Sequence, residues 1–159
     1  MKVLVLGMDN TGKTTLCKYL KEKQEFELIN SCGPHKTKEQ MEKFIHENLA
    51  KEGYLVFERF CYFDEMVYGK ILRNESKFSF SDSITDFILN SGVTIIYCRP
   101  STETIKNWQN REQMNGVIDK ADELIERWDK VIRKARKLGF KIIKYDYTKN
   151  NMLDIIGEL

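Results

Sequence analysis

The chain has 159 residues, 42% of them hydrophobic and 31% charged, which is ordinary globular usage and excludes a disordered or fibrous class. Its 26 basic and 24 acidic residues are interspersed and leave a formal charge of +2, with no basic stripe of the kind a nucleic-acid polymer needs. No stretch approaches the roughly 20 apolar residues that span a bilayer, so neither a nucleic acid nor a membrane is the expected partner.

In chain order, Val3 to Leu6 is an apolar, β-branched-rich run suited to a strand buried on both faces. It stops at Gly7, too soon for a signal peptide, and a cytoplasmic protein is expected. Lys13 to Lys21 reads as a helix with Leu16 and Leu20 on one face, and Phe26 to Ile29 as a second strand. After Gly33-Pro34, a helix over Thr37 to Leu49 aligns Met41, Phe44, Ile45 and Leu49. Tyr54 to Phe57 is a third strand ending at Glu58-Arg59, and Asp64 to Arg73 a helix. Asn74 to Phe80 is loop-like, and Ser81-Asp82-Ser83 reads as the cap of a helix reaching Leu89.

Val93 to Cys98 is the cleanest strand, closed by Arg99-Pro100. The longest helix spans about Ile118 to Leu138, with Ile118, Ala121, Ile125, Trp128, Ile132 and Ala135 as its packing stripe. Phe140 to Tyr145 is the last strand, and Met152 to Ile156 a short helix. Strands and helices thus alternate, the order of a five-stranded parallel sheet in a three-layer α/β/α fold. Cys17, Cys32, Cys61 and Cys98 form no CxxC pair, and four reduced thiols are expected, with Cys98 in a strand.

Ligands in such sheets sit beyond the carboxyl ends of the strands, and Gly7 to Thr14, Ser31 to Pro34, Glu58 to Phe63 and Arg99-Pro100 all fall there. Gly7-Met8-Asp9-Asn10-Thr11-Gly12-Lys13-Thr14 fits the G-x-x-x-x-G-K-[ST] pattern. Its glycines let successive backbone N–H groups turn onto phosphate oxygens, and the helix behind aims its positive end at the same anion. Lys13 adds charge at the β- and γ-phosphates, and Thr14 offers a hydroxyl to Mg²⁺. Asp9, Asn10, Thr11, Gly12, Lys13, Thr14 and Thr15 are therefore the predicted ATP-binding run. No N-K-x-D segment for guanine is present, and no D-x-x-G switch follows the third strand, which speaks against a regulatory GTPase.

With this loop, Glu58-Arg59-Phe60 after a strand, Met66-Val67-Tyr68-Gly69 downstream and Cys32-Gly33-Pro34, the chain resembles a thymidylate-kinase-type deoxynucleoside monophosphate kinase of the compact bacteriophage form. The resemblance covers most of the chain in order, and the phosphate loop is its strict match. It implies one P-loop nucleoside monophosphate kinase domain over 1–159, with a short lid at about 109–117. Two features depart from the common pattern: Glu58 stands for the usual Asp, and the chain is shorter than typical cellular members, with a brief lid between Trp108 and Val117; the phosphate loop carries Asn10 and no arginine. Arg111 in the lid is similar to members that supply their arginine from there.

The implied reaction is ATP- and Mg²⁺-dependent transfer to dTMP, dUMP or a 5-modified pyrimidine deoxynucleoside monophosphate, and a homodimer is the assembly such kinases commonly form. Lys13, Asp9, Arg59, Arg111 and Glu58 would act at the transferring phosphoryl group, with Thr14 and Glu58 at the metal. Arg59 would bridge donor and acceptor phosphates, where a planar guanidinium outperforms an ammonium. Arg99 would frame the adenine. Gly33, Pro34, Arg59, Phe60, Phe63, Tyr68 and Arg73 would surround the acceptor, and His35 reads as a solvated loop histidine. Two other readings keep the loop. One is a kinase of a non-nucleotide small molecule, of shikimate or gluconate type, with Asp9 as base; the other is a non-catalytic ATP-binding switch.

Overall fold

The computed structural model describes residues 1–107 and 116–159. The chain runs β1 (Lys2–Leu6), α1 (Lys13–Lys23), β2 (Glu27–Asn30), α2 (Lys38–Leu49) and β3 (Leu55–Glu58). Next comes a continuous rod of α3 (Cys61–Asp64), a π-helical segment (Glu65–Gly69) and α4 (Lys70–Leu72). It closes with α5 (Ile84–Asn90), β4 (Val93–Cys98), α6 (Thr102–Ile105), α7 (Ala121–Lys137), β5 (Lys141–Tyr145) and α8 (Met152–Glu158). The five strands form one all-parallel sheet in the order β2-β3-β1-β4-β5. β1 is therefore central, and the loop that leaves its carboxyl end opens between β3 and β4, the expected ligand crevice of an open α/β sheet.

Strand alternation divides the core into two layers, one on each face of the sheet. Leu4, Leu6, Phe57, Ile95 and Tyr97 point to α2, α5, α7 and the rod, while Val3, Val5, Val56, Ile96 and Ile143 point to α1 and α8. Ala121, Ile125, Trp128, Ile132 and Ala135 are the buried stripe of α7. Trp128 is fully buried, and truncating such a residue to alanine costs about 3–5 kcal/mol. Ile118 belongs to no stripe: it is half exposed and precedes the first turn of α7.

Two helix starts differ from the sequence reading. Thr37 caps α2 through a full capping box with Gln40, but the Ser81-Asp82-Ser83 segment caps nothing. Asp82 instead accepts from the Ser79 N–H at 2.7 Å and pairs with Lys38 on α2 at 3.0 Å, so α5 begins at Ile84. The rod begins at Cys61, three residues ahead of the expected Asp64, and its π turn is invisible to a 3.6-residue pattern. The one-turn helix α6, capped by Ser101 onto the Thr104 N–H at 3.1 Å, is too short for periodicity to reveal. Among the described residues no helix is long and apolar enough to cross a membrane.

Candidate active site

The phosphate loop is fixed by close packing. Gly7 has φ 142°, and a Cβ there would lie 2.5 Å from the Cys98 carbonyl oxygen on β4, so only glycine fits. Thr11 Oγ1 donates to the Met8 carbonyl at 2.8 Å, and the buried Lys13 Nζ donates to the same oxygen. α1 starts at Lys13 with no side-chain cap and no acidic residue in its first turn. Its free N–H groups and positive end therefore face the loop. Burial pushes the Lys13 ammonium below its ordinary pKa, Arg59 adds to that, and Asp9 opposes it. A polyanion in the loop would relieve that penalty.

Asn10 has another task beside its place in the loop. It adopts a left-handed φ of 62°, and its amide donates to the carbonyls of Ile105 at 3.0 Å and Asn107 at 2.9 Å. The loop is thereby tied to the end of α6, immediately before residue 108.

β3 and the rod supply the second wall. Glu58 ends β3 beside Val5 of β1, and its carboxylate accepts the Thr14 hydroxyl. Arg59 follows in a left-handed conformation, φ 68°, which is uncommon for a non-glycine residue and turns its side chain back toward the loop. Its guanidinium pairs with Asp9 and lies over the Tyr68 ring, 5.9 Å from the centroid. Burial works against that charge, but Asp9, Tyr68 and Asp64 together outweigh it and hold Arg59 above its usual pKa.

Between the loop after β2 and the rod lies a cavity of about 200 Å³. Gly33, Pro34, Arg59, Tyr68 and Arg73 all line it, as do Asp64 and Glu65. Glu65 is buried and anchors Arg73, with Lys77 3.6 Å from its other oxygen. Gly69 is what permits this: a Cβ there would come within 2.7 Å of the Glu75 carbonyl and 2.9 Å of Glu65 Oε2. Burial raises the Asp64 carboxyl to about 6, while Arg59 and Lys13 pull it down. Phe60 and Phe63 do not line the cavity; both are core residues, Phe60 edge-on to Phe57 and Phe63 edge-on to Phe140.

On the opposite side of the loop a cavity of about 490 Å³ is lined by Gly12, Thr15, Tyr19, Tyr147 and Asn150. Tyr147 lies over Gly12, within 3.0 Å of where a Cβ would stand. Arg99 is elsewhere. It makes a two-pronged pair with Asp129 of α7 at 2.9 and 3.0 Å and lines a third, polar groove with Arg133, Arg136 and Lys144. Arg111 and most of the expected lid lie outside the described residues.

Loop, central strand and flanking cavities together define the architecture. The fold is that of the P-loop kinases. The chain is similar to Bacillus subtilis YorR, solved in complex with phosphorylated GDP: TM-score 0.76, 17% identity, over 99% of this chain and 92% of that one. It is also similar to deoxyadenosine kinase from M. mycoides with the products dCMP and dCDP, at TM-score 0.63 and 15% identity over 99% and 97%. Thymidylate kinase from Candida albicans matches at TM-score 0.52 and 12% identity, over 99% and 88%. No protein-family model and no curated protein matches the sequence.

Within this P-loop kinase fold, several lining residues escaped the sequence reading. Asp64 and Glu65 open the helix read over Asp64 to Arg73, and the sequence assigns neither a site role. The spacing Arg59-x₄-Asp64 was the available signal, one helical turn beyond a strand end. Tyr147 and Asn150 follow β5 at the same carboxyl edge as every other site segment, so the crevice rule applied equally to them.

Proposed function

We propose that the chain transfers the γ-phosphoryl group of ATP to a deoxynucleoside 5′-monophosphate, with dTMP, dUMP or a 5-modified pyrimidine as the preferred class. The observation that carries this reading is Arg59. It is held by Asp9 between the phosphate loop and a cavity that contains a second guanidinium, Arg73. Two guanidiniums facing one small cavity favour an acceptor that is itself an anion.

The donor triphosphate would lie on the uncapped N-terminus of α1 with Lys13 at the β- and γ-phosphates, and its base in the Tyr147 cavity. Among the described residues no three His, Cys, Asp or Glu side chains gather as a metal cage. The Thr14 hydroxyl and Glu58 carboxylate, in contact with each other, are the hard oxygens that suit Mg²⁺ when phosphates and waters complete its shell. Mg²⁺ held there supplies charge neutralisation at the triphosphate.

The acceptor phosphate is already an anion, so no base is required and the protein's work is positioning and charge. Arg59 is free to leave Asp9 partly and bridge the two phosphates, with Arg111 reaching the transferred group from the lid. Arg73, fixed by Glu65, and the rim of Tyr68 meet the acceptor's nucleoside end. A steady-state assay with Mg²⁺-ATP across the deoxy- and ribonucleoside monophosphates, 5-hydroxymethyl-dUMP included, tests this directly. Turnover confined to one or two pyrimidine deoxynucleotides is the expected result; none on any monophosphate sinks it.

Asp64 favours a second reading. A carboxyl raised to about 6, on the cavity wall beside Arg59, suits a general base for an acceptor hydroxyl. The acceptor would then be a nucleoside or another small alcohol. Asp64 would be better suited to that role than Asp9, which Arg59 already engages. Adding nucleosides and small alcohols to the same assay separates the two.

A further inference from the structure

The polar groove beside Arg99 lies between α7, the start of α6 and the end of β5, and encloses about 450 Å³. That is the size of an ordinary small-molecule site. Five cations line it, Arg99, Arg133, Arg136, Lys144 and Lys149, against two carboxylates, Asp129 and Asp146.

Both carboxylates are already committed. Asp129 accepts the Tyr97 hydroxyl at 2.7 Å and takes Arg99 on its two oxygens at 2.9 and 3.0 Å, which holds that guanidinium in place. Asp146 accepts the Thr148 N–H at 3.0 Å and hydroxyl at 2.6 Å, with Lys149 3.6 Å from its other oxygen. Arg133, Arg136 and Lys144 pair with no carboxylate among the described residues. Arg133 and Arg136, three positions apart, share a face of α7. Lys144 stands on β5 in register with Tyr97 of β4. Three like charges thus line one concave surface, and an anion that spans them relieves their repulsion.

We propose that this groove is a second phosphate site, which takes a linear triphosphate, free or carried by a nucleotide, on Arg133, Arg136 and Lys144. Two guanidinium forks and an ammonium match three linked phosphoryl groups in charge and in donor geometry. A nucleic-acid backbone suits it less, because the groove is bounded and the other basic residues are interspersed with acids, for a formal total of +2.

The groove is separate from the phosphate loop but shares a turn with the donor side. Asp146 to Asn150 closes on itself: the Asp146 carbonyl accepts the Lys149 and Asn150 N–H groups at 2.9 and 2.8 Å. The Asp146 N–H donates to the Asn150 side-chain oxygen at 2.9 Å. Asp146 and Lys149 line the groove, while Tyr147 and Asn150 line the cavity beside Gly12. A triphosphate that also engages Lys149 therefore steadies the turn that carries Tyr147. Only this consequence for the donor rests on the reading of the Tyr147 cavity as the place of its base; the site itself does not.

The test titrates the full chain with inorganic tripolyphosphate by calorimetry, without Mg²⁺, and locates binding by amide exchange. Two binding events are expected, one slowing exchange over 7–16 and the other over 146–150. Arg133→Gln/Arg136→Gln is expected to weaken the second event at least about tenfold and to abolish the protection over 146–150. Lys13→Ala is expected to weaken the first and spare the second, so a fault in the phosphate-loop reading shows separately, as a first event that Lys13→Ala leaves unchanged. Lys43→Gln/Lys51→Gln makes the same change of net charge at exposed positions elsewhere and is expected to leave both events intact. A single event with protection confined to 7–16 overturns the proposal. So does equal weakening of the second event by the Lys43→Gln/Lys51→Gln control, or full affinity and protection in Arg133→Gln/Arg136→Gln. Orthophosphate that fills the groove as tightly as tripolyphosphate overturns the triphosphate. In the Lys13→Ala background a nucleoside triphosphate separates the two sources: tighter binding than tripolyphosphate assigns the nucleotide, and equal or weaker binding assigns the free polyphosphate.

Discussion

Arg59 and Asp9, separated by 50 positions in the chain, form an ion pair that joins the end of β3 to the phosphate loop. Asp9 is almost entirely enclosed, while Arg59 keeps about a third of its side chain in solvent. The pair therefore has a buried end and an open end, and only the arginine can swing toward a ligand. Arg59→Ala is expected to lower turnover at least about 100-fold and to weaken the acceptor. Asp9→Asn is expected to destabilise the fold by about 1–2 kcal/mol, a figure reduced for the solvent that screens Arg59. Urea unfolding and separate Michaelis constants for donor and acceptor check both. If Arg59→Ala raises only the ATP constant, Arg59 does not reach the acceptor.

Lys13 should behave in the opposite way with respect to stability. Its ammonium is buried and burial disfavours its charge, so the ligand-free fold gains little from it. Lys13→Ala is expected to cost at least about 100-fold in turnover through lost charge stabilisation at the transferring group. The melting temperature without nucleotide should hold or rise, while the rise that ATP produces in the parent should shrink. Near-normal turnover removes Lys13 from the mechanism.

How much of this was legible without coordinates depends on the range of the signal. The phosphate loop was readable because its glycines are demanded by the local backbone: Gly7 and Gly12 hold φ values of 142° and 85°, which side chains rarely adopt, at a fixed spacing before Lys13-Thr14. The strands were readable because β1 and β4 are buried on both faces and carry the apolar runs Val3–Leu6 and Ile95–Cys98. Phe60 and Phe63 mark the limit. Their residue type suits a base-stacking wall and a core equally, and after the left-handed turn at Arg59 both are fully buried. Arg99 shows the same ambiguity: its strand-end position was visible, but its partner Asp129 lies 30 residues on, in a different element. Pairings across elements leave no mark in local pattern.

Tyr147 gives the donor side its own test. The ring lies over Gly12 at the start of α1 and faces a cavity that also contains Thr15 and Asn150. Stacking of a base on an aromatic ring is worth about 1–3 kcal/mol. Tyr147→Ala should raise the ATP Michaelis constant by about 5- to 100-fold and leave the acceptor constant nearly unchanged. Tyr147→Phe should retain most of the affinity. A loss confined to the acceptor places the donor base elsewhere.

Asp64 separates the two acceptor classes and carries a pH signature of its own. Its carboxyl is raised from 3.8 to about 6 in the folded chain, chiefly by burial, so the folded chain holds this proton more tightly than the unfolded one. Protonation of Asp64 therefore stabilises the fold; that contribution is complete below its unfolded pKa and is lost as pH rises through about 6. Asp64→Asn removes the penalty of the buried charge. Its melting temperature relative to the parent should therefore climb between about pH 4 and pH 7 in the absence of ligands. A difference independent of pH means that Asp64 does not titrate in that window. Kinetics supply the second half. With a phosphate acceptor no proton need be removed, and Asp64→Asn should keep turnover within about tenfold of the parent. With a hydroxyl acceptor the same change deletes the base, and turnover should fall by about 100- to 10,000-fold, with the loss of the acidic limb near pH 6. One variant thus reports on the electrostatics of the cavity and on the chemistry of what enters it.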